Sequence, residues 1–218
     1  MYARLMPPVL CQSRDFVVLD KPAGLPVHPG PRGDASVEGW FPLLSRRRDG
    51  PWLAHRLDAD TSGCLVVALR RAALHAAQAA FAEGRAEKTY WAVVRGRPSA
   101  DTGEVDAPLA KRSGRTGWRM AVDPAGQAAR TSWRVLGTAD GTTWLELRPR
   151  TGRTHQVRVH CAHLGCPILG DPVYGAGDGP LHLLARAVAL PLDPPLAATA
   201  PAPPHMLAAL RACGFIPP

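Results

Sequence analysis

Residues 55–63 read HRLDADTSG, and the apolar run CLVVA follows at residues 64–68. Within this stretch the carboxylate of Asp58 stands two positions after Arg56 and directly before turn-forming residues. The apolar run has the composition of a buried strand. The pattern therefore predicts a carboxylate at the end of a buried strand, with a cation and a histidine beside it. A surface ion pair does not need such a setting.

Outward from this stretch the chain reads mainly as strands. Runs rich in β-branched and aromatic residues recur between turn signals, and only two segments have the pattern of helices. Because strands outnumber helices and the two types do not alternate, we predict an α+β fold rather than a doubly wound one. The predicted strands cover residues 15–20, 64–69, 88–96, 129–137, 142–149 and 181–190.

The first predicted helix is RAALHAAQAAFAEG (71–84), with Gly84 as its stop signal. Its side chains on neighbouring turns are Leu74, Ala77, Gln78 and Phe81.

The second predicted helix lies in TGRTHQVRVHCAHLGCP (151–167). Thr154 is the expected N-cap, and Gly165 and Pro167 end the helix. An apolar stripe is formed by Val157, Cys161 and Leu164. Arg153 then lies at the mouth of the helix, where we expect it to share an anion with the backbone N–H groups. That anion is either a phosphate or a protein carboxylate.

Length and charge limit the classes of protein. A chain of 218 residues suffices for one core or for two closely joined subdomains, and we predict a single catalytic domain over residues 1–218. It carries 26 Lys and Arg against 18 Asp and Glu, a net charge of +8 that would attract a polyanion. A GC-rich genome would also enrich arginine. The positive net charge therefore has two explanations, a nucleic-acid partner or the base composition of the genome. The basic loops are SRRRDG (45–50) and KRSGRTGWR (111–119).

Other features indicate a cytoplasmic protein. No apolar stretch approaches the ~20 residues that span a bilayer, and the N-terminus has no secretion signal. Five cysteines in irregular positions are typical of reduced thiols. The histidines and cysteines after Arg153 suggest zinc, but they point around the whole predicted helix, and we favour packing and RNA-facing roles over metal.

At this point the motifs resemble a known family. HRLDADTSG, KTYWAVVRG and TGRTHQVRVHCAHLGCPILGDPVYG, in this order, are similar to the RluA-type RNA pseudouridine synthases, as is the earlier VLDKPAGLPVHPG. Two positions differ: Asp20 stands where asparagine is common, and Ala59 where a basic residue is frequent. The resemblance extends from about residue 14 to residue 190.

The resemblance implies a mixed, mainly antiparallel sheet with flanking helices and a central catalytic cleft. It also implies isomerisation of uridine in RNA to pseudouridine, without a metal, nucleotide or redox cofactor. In the family the aspartate of HRLD, here Asp58, is the catalytic carboxylate. Tyr90 and Arg153 match the tyrosine and arginine of two further motifs, and Arg56 matches an arginine associated with displacing the target nucleotide.

The chemistry accounts for these residue types. Breaking the glycosidic bond builds positive charge at C1′, and a carboxylate can stabilise that charge, attack C1′, or remove a 2′ proton. We expect Arg153 to hold Asp58 through two parallel hydrogen bonds, and Tyr90 to stack on the uracil with its hydroxyl near C5. The substrate surroundings are assigned to Arg56, His55, Thr61 and Gln156, of which the last three chiefly hold the loops.

The partner is expected to be a ribosomal or transfer RNA stem-loop, because a flipped uridine leaves a loop at least cost. The residues before Asp15 are too few for a folded module, so we expect no N-terminal S4-like domain. A monomer without membrane contact is expected. Two alternatives stay open: a non-catalytic RNA-binding module, and a metal-dependent nuclease or zinc protein.

Overall fold

The computed structural model describes residues 6–30, 33, 35–47, 49–114 and 117–217. Arg48 and Arg115, two of the predicted basic loop residues, lie outside this part of the chain. The strands are β1 (Val9–Gln12), β2 (Phe16–Lys21), β3 (Trp52–Leu53), β4 (Ser62–Ala68), β5 (Glu87–Arg95), β6 (Thr102–Asp106), β7 (Leu109–Gly114), β8 (Gly117–Val122), β9 (Arg130–Ala139), β10 (Thr142–Pro149), β11 (Leu183–Leu190) and β12 (Leu196–Thr199). The helices are α1 (Phe41–Leu44), α2 (Arg71–Ala82), α3 (Gln156–His163) and α4 (Pro204–Ala212), with a 3₁₀ turn at Val37–Trp40.

By their internal packing the residues form two compact units. The first comprises Met1–Lys88 and Ala185–Pro201, and the second comprises Thr89–Leu184 and Ala202–Pro218. The predicted α+β class with a mainly antiparallel sheet is confirmed. No helix in the described part of the chain has the length and apolar content to cross a membrane.

The first unit is built on two buried strands. β2 pairs antiparallel with β4, so that Val17 lies opposite Val67 and Leu19 opposite Leu65. All seven residues of β4 are buried, which explains why its sequence is a continuous apolar run rather than an alternating one. This strand pair is the support on which the Asp58 loop stands.

Helix α2 confirms the first predicted helix. The buried residues are Ala73, Ala77 and Ala80, whereas Gln78 is exposed. Small side chains on this face let the helix pack closely against the other elements of the first unit. Gly84 adopts φ of +70° directly after the helix and so confirms the predicted stop.

The second unit contains four antiparallel strands in the order β5, β10, β9, β6. Leu145 and Leu147 of β10 belong to a buried cluster that also includes Val157 and Cys161 of α3. Leu164 packs against the same cluster, so the predicted apolar stripe of this helix is confirmed.

Two parts of the second unit were not predicted. The described residues of the predicted basic loop at 111–119, which are 111–114 and 117–119, belong to a separate antiparallel hairpin of β7 and β8. Its polar and charged sequence lacks the apolar alternation by which strands are recognised. Helix α4, in the Ala- and Pro-rich tail, was also missed. Its Met206 and Leu210 are fully buried.

The end of the chain packs closely on β9 and β10. The ring of Phe215 lies 5.5 Å, centroid to centroid, from both Trp91 and Trp144. A Cβ atom added at Gly137 would lie 1.8 Å from the carbonyl oxygen of Cys213. Glycine is therefore required where β9 meets the segment that follows α4.

The replacement Gly137→Ala should lower the free energy of unfolding by about 1–3 kcal/mol, because backbone atoms must move to admit the methyl group. Gly39→Ala is the matched control, since a Cβ there would meet nothing within 4 Å. Urea unfolding of both variants measures the effect. Equal unfolding midpoints for the two variants would contradict the close approach.

Candidate active site

Asp58 lies on a short loop that leads from β3 into β4. The backbone N–H of Thr61 donates to the carbonyl of Asp58 at 3.2 Å, which closes the turn. Thr61 and Ser62 are 2% exposed, whereas Asp58 itself is half-buried and Arg56 is exposed. The structure thus places the carboxylate at the entrance of a buried strand, as the sequence predicted.

His55 braces the same loop from the side of β4. Its Nε2 accepts a hydrogen bond from the backbone N–H of Val66 at 3.0 Å, and its ring lies 4.9 Å from that of Phe81. Burial lowers the pKa of His55 to about 4, helped by the positive charge of Lys88 and opposed by a backbone hydrogen bond. His55 is therefore neutral near pH 7 and acts as a fixed acceptor. Direct contact of His55 or Thr61 with a substrate stays a prediction.

Lys21 is a buried charged residue next to the Asp58 loop that the motif analysis missed. Its side chain is fully buried, and its ammonium donates to the carbonyls of Pro22, Leu25 and Ala59 at 2.8, 2.8 and 2.6 Å. Ala59 directly follows Asp58 in the chain. The end of β2 is thereby tied to the loop that presents the carboxylate. A lysine at the end of the apolar run FVVLDK, directly before proline, was the available signal.

Two opposing effects act on the pKa of Lys21. Burial lowers its pKa to about 7, while the negative charges of Asp60 and Asp58 act in the opposite direction. Three carbonyl acceptors match the three N–H groups of the protonated amine, whereas the neutral amine has only two. The complete set of loop contacts therefore belongs to the protonated form.

In the second unit, Tyr90 and Arg153 occupy different kinds of position. Tyr90 lies on β5 opposite Leu147 of β10 and packs, half-buried, against the cluster beneath α3. The side chain of Arg153 is exposed, and its Nε donates to the carbonyl of Ala128 at 3.1 Å. Its predicted pairing with Asp58 stays a prediction.

Gln156 holds the backbone of Arg153 in place. It is 3% exposed, and its Oε1 accepts hydrogen bonds from the hydroxyl of Thr151 at 2.7 Å and from the N–H of Arg153 at 3.0 Å. Its amide nitrogen donates to the carbonyl of Arg130 and to the hydroxyl of Thr131, both at 3.0 Å. The amide is fully engaged within the unit, which favours a scaffold role. Substrate contact by Gln156 stays a prediction.

The start of α3 differs from the prediction. Thr154 is not the N-cap, because the helix begins at Gln156 and the cap position belongs to His155. His155 adopts φ of +53°, a left-handed conformation that is uncommon for residues other than glycine. Its Nδ1 lies 2.9 Å from the hydroxyl of Tyr174. This side-chain contact is one constraint on the strained residue.

A buried ion pair anchors α3 and was also missed. Arg158 is 4% exposed, and its Nε and Nη2 each donate to one carboxylate oxygen of Asp171 at 2.8 Å. Burial alone would raise the pKa of Asp171, but hydrogen bonds from Arg158 and from the N–H groups of Val173 and Tyr174 hold it below its usual value. Asp171 thus joins α3 to the loop at 171–174.

Two histidines of this region, His155 and His160, have structural partners. His160 is fully buried, with Nδ1 2.8 Å from the hydroxyl of Thr131 and Nε2 3.1 Å from the carbonyl of Ala107. Throughout the residues that the structure describes, no three His, Cys, Asp or Glu side chains form a group that could hold a metal ion.

Comparison with known proteins identifies the family. A family model described as RNA pseudouridylate synthase matches residues 15–163. The chain belongs to this family. RNA pseudouridine synthases are isomerases that act on RNA, and the chain is accordingly an isomerase of this class.

Individual relatives agree with the assignment. An uncharacterized RNA pseudouridine synthase of Zymomonas mobilis is 39% identical over 204 residues, which are 89% of this chain and 93% of the relative. The ribosomal large subunit pseudouridine synthase D of the same organism is 37% identical over 190 residues, 83% of this chain but only 60% of that protein. The structure of human RNA pseudouridylate synthase domain containing 4 superimposes with a TM-score of 0.81 at 29% identity and covers 96% of this chain and 94% of that one.

The replacement Lys21→Met tests the buried amine of this RNA pseudouridine synthase. The pKa of Lys21 is about 7 in the folded protein and ~10.4 in an unfolded chain. Between these values the unfolded state binds more protons, so this group makes the free energy of unfolding of the wild type rise with pH. The variant lacks this titration. Urea unfolding between neutral pH and about pH 10 should therefore show the difference shifting in favour of the wild type as pH rises. A difference independent of pH would rule out the lowered pKa.

Proposed function

We propose that this RNA pseudouridine synthase isomerises uridine in a ribosomal or transfer RNA stem-loop, with Asp58 as the catalytic carboxylate. The observation that carries the proposal is the half-buried Asp58, held on a loop whose next carbonyl is hydrogen-bonded by the buried ammonium of Lys21. Such a loop holds a carboxylate in a fixed place at a sugar. The name of the second Zymomonas relative, which refers to the large ribosomal subunit, supports ribosomal RNA.

The reaction requires a carboxylate that acts on the sugar. The bond between C1′ and N1 breaks, and Asp58 stabilises the charge at C1′, attacks it, or removes a 2′ proton. The uracil then turns and C5 bonds to C1′, as the bond to Asp58 breaks or, where a 2′ proton was removed, as that proton returns to C2′. C5 then loses its proton and N1 gains one. Each of these routes requires Asp58 in its carboxylate form.

Tyr90 is proposed to handle the detached base. The aromatic ring offers a face on which uracil can stack, and the hydroxyl is a candidate acceptor for the C5 proton. The position of Tyr90 on a paired strand supports this role, because a strand holds a ring more rigidly than a loop does.

The target uridine must leave its stack before it reaches a carboxylate, at a cost of a few kcal/mol. Arg56 is exposed beside Asp58, and we propose that it occupies the space left by the flipped nucleotide or binds a flanking phosphate. Unpaired loop nucleotides are the substrates that lower this cost most.

The replacement Asp58→Asn should abolish pseudouridine formation and leave RNA affinity within about tenfold, because binding depends mainly on basic groups. Asp60→Asn is the matched control. Asp60 is also half-buried and also acts on the charge of Lys21, so its replacement perturbs the same loop without removing the catalytic group. Release of tritium from C5-labelled uridine in RNA measures turnover. Normal turnover by Asp58→Asn would end the assignment, and binding without any turnover by the wild type would favour a non-catalytic RNA-binding module.

Arg153→Lys and Arg158→Lys separate chemistry from scaffold. Arg153 is exposed, and its replacement should change the free energy of unfolding by no more than about 0.5 kcal/mol. If its planar guanidinium orients Asp58, the single-turnover rate should nevertheless fall on the order of 10²-fold. Arg158→Lys should lower stability as well, because it breaks the buried two-point pair with Asp171. A wild-type rate for Arg153→Lys would rule out the two-point contact between Arg153 and Asp58, and a simple charge effect or a phosphate contact of Arg153 would take its place.

A further inference from the structure

The hairpin of β7 and β8 (109–122) carries a large exposed aromatic side chain that the proposed catalytic steps do not use. Trp118 is 47% exposed, and the described residues on either side of it, Gly117 and Arg119, are exposed as well. On the opposite strand residues 111–114 are all exposed. The outer half of the hairpin is thus exposed to solvent on both strands, although a two-stranded ribbon is marginally stable by itself.

The strand register sorts the hairpin side chains onto two faces. Ser113 lies opposite Trp118, and Lys111 opposite Met120, so these four side chains share one face. Arg112 lies directly opposite Arg119 on the other face. Two arginines in this arrangement repel each other.

Contacts with neighbouring side chains fix the orientation of the Trp118 indole. Its ring stacks on that of His155 with centroids 5.4 Å apart and planes 23° apart, and the ammonium of Lys111 lies 4.7 Å from its ring centroid. The hydroxyl of Tyr174 lies 2.9 Å from Nδ1 of His155 and accepts a hydrogen bond from the N–H of Met120 at 3.0 Å. The hydroxyl therefore fixes both the ring beneath Trp118 and the strand that carries it.

The charges of the hairpin have one sign. The described residues of β7 and β8 include Lys111, Arg112 and Arg119 and no Asp or Glu. Arg112 does reach Asp123, which follows β8, but its side chain is still 63% exposed. An anion bound at Arg112 and Arg119 would relieve their repulsion.

We propose that the hairpin is an RNA-binding surface on which one unpaired base takes the place of the Lys111 ammonium over the indole of Trp118, while phosphates of the same strand bind the displaced Lys111 and the pair of Arg112 and Arg119. The inference rests on the proposed function, from which it takes RNA as the partner. An unpaired nucleotide supplies both groups that the surface fits, a flat π-face and an adjacent phosphate. An acidic protein surface would satisfy the cations and leave the exposed indole without a role.

The test uses a transcript of large-subunit ribosomal RNA, trimmed to the shortest piece in which the wild type forms pseudouridine. Dissociation constants are measured in the Asp58→Asn background over a series of salt concentrations. Trp118→Ala should raise Kd about tenfold, which corresponds to ~1.4 kcal/mol, with the salt dependence unchanged. Lys111→Met should lower the slope of log K against log salt by about one, because one phosphate contact is lost.

Two control variants separate stacking from a general disturbance. Trp118→Phe keeps an aromatic face and should retain Kd within about threefold. Ile216 is an apolar residue elsewhere in the same unit and is 86% exposed. The replacement Ile216→Ala should leave Kd unchanged. A Kd for Trp118→Ala equal to that of the wild type would overturn the proposal.

Abasic nucleotides locate the stacked base and do not depend on how Trp118→Ala folds. Replacing each unpaired nucleotide in turn by an abasic one keeps every phosphate. With Trp118 present, one abasic position should weaken binding about tenfold, and with Trp118→Ala the same position should have no further effect. Independent, additive losses would overturn the stacking. Formation of pseudouridine by the wild type alongside such additive losses would refute this surface alone, whereas a wild type that forms pseudouridine in no ribosomal or transfer RNA would refute the proposed function.

Discussion

The contact on which the candidate site depends is the buried ammonium of Lys21. It lies at the end of β2 and donates to a carbonyl 38 residues further along the chain, in the loop of Asp58. Without that donor, the carbonyls of Pro22, Leu25 and Ala59 would lack their shared partner. Because an unsatisfied buried carbonyl is costly, the loop is held in the one arrangement that satisfies all three. The strands below give the loop its position, and the lysine gives it its shape.

Strands could be predicted from the sequence where burial makes consecutive residues apolar. The run CLVVA reads as a strand because both faces of β4 are buried, and TTWLELRP predicted β10 to the residue. The 109–122 hairpin could not be found in this way, because its outer residues face solvent and follow no apolar alternation. Thr154 failed as a cap because the turn at His155 is fixed in part by Tyr174, which is 19 residues away in sequence.

The residues of the candidate site also divide into those recognisable from their sequence neighbours and those that depend on partners distant in sequence. Asp58 was recognisable because the turn, the arginine and the strand that frame it are adjacent in the chain. Lys21 and Arg158 act through partners distant in sequence, Ala59 for one and Asp171 for the other, and a motif does not show which distant atoms a side chain meets. Arg153 illustrates the converse, since a position at a helix mouth says little about exposure, and its side chain turns out to be exposed.

Neither compact unit is a continuous stretch of chain. The first unit includes residues 185–201, which follow the long segment of the second unit in sequence. The second unit includes residues 202–218 as well. During synthesis on the ribosome, β4 therefore emerges long before β11 and β12, and Gly137 long before the carbonyl of Cys213 that packs on it. Contacts of such high sequence separation slow folding. The sheet that contains β2 and β4 is therefore incomplete until residues 185–201 have been made, and the nascent chain exposes these apolar strands during that interval.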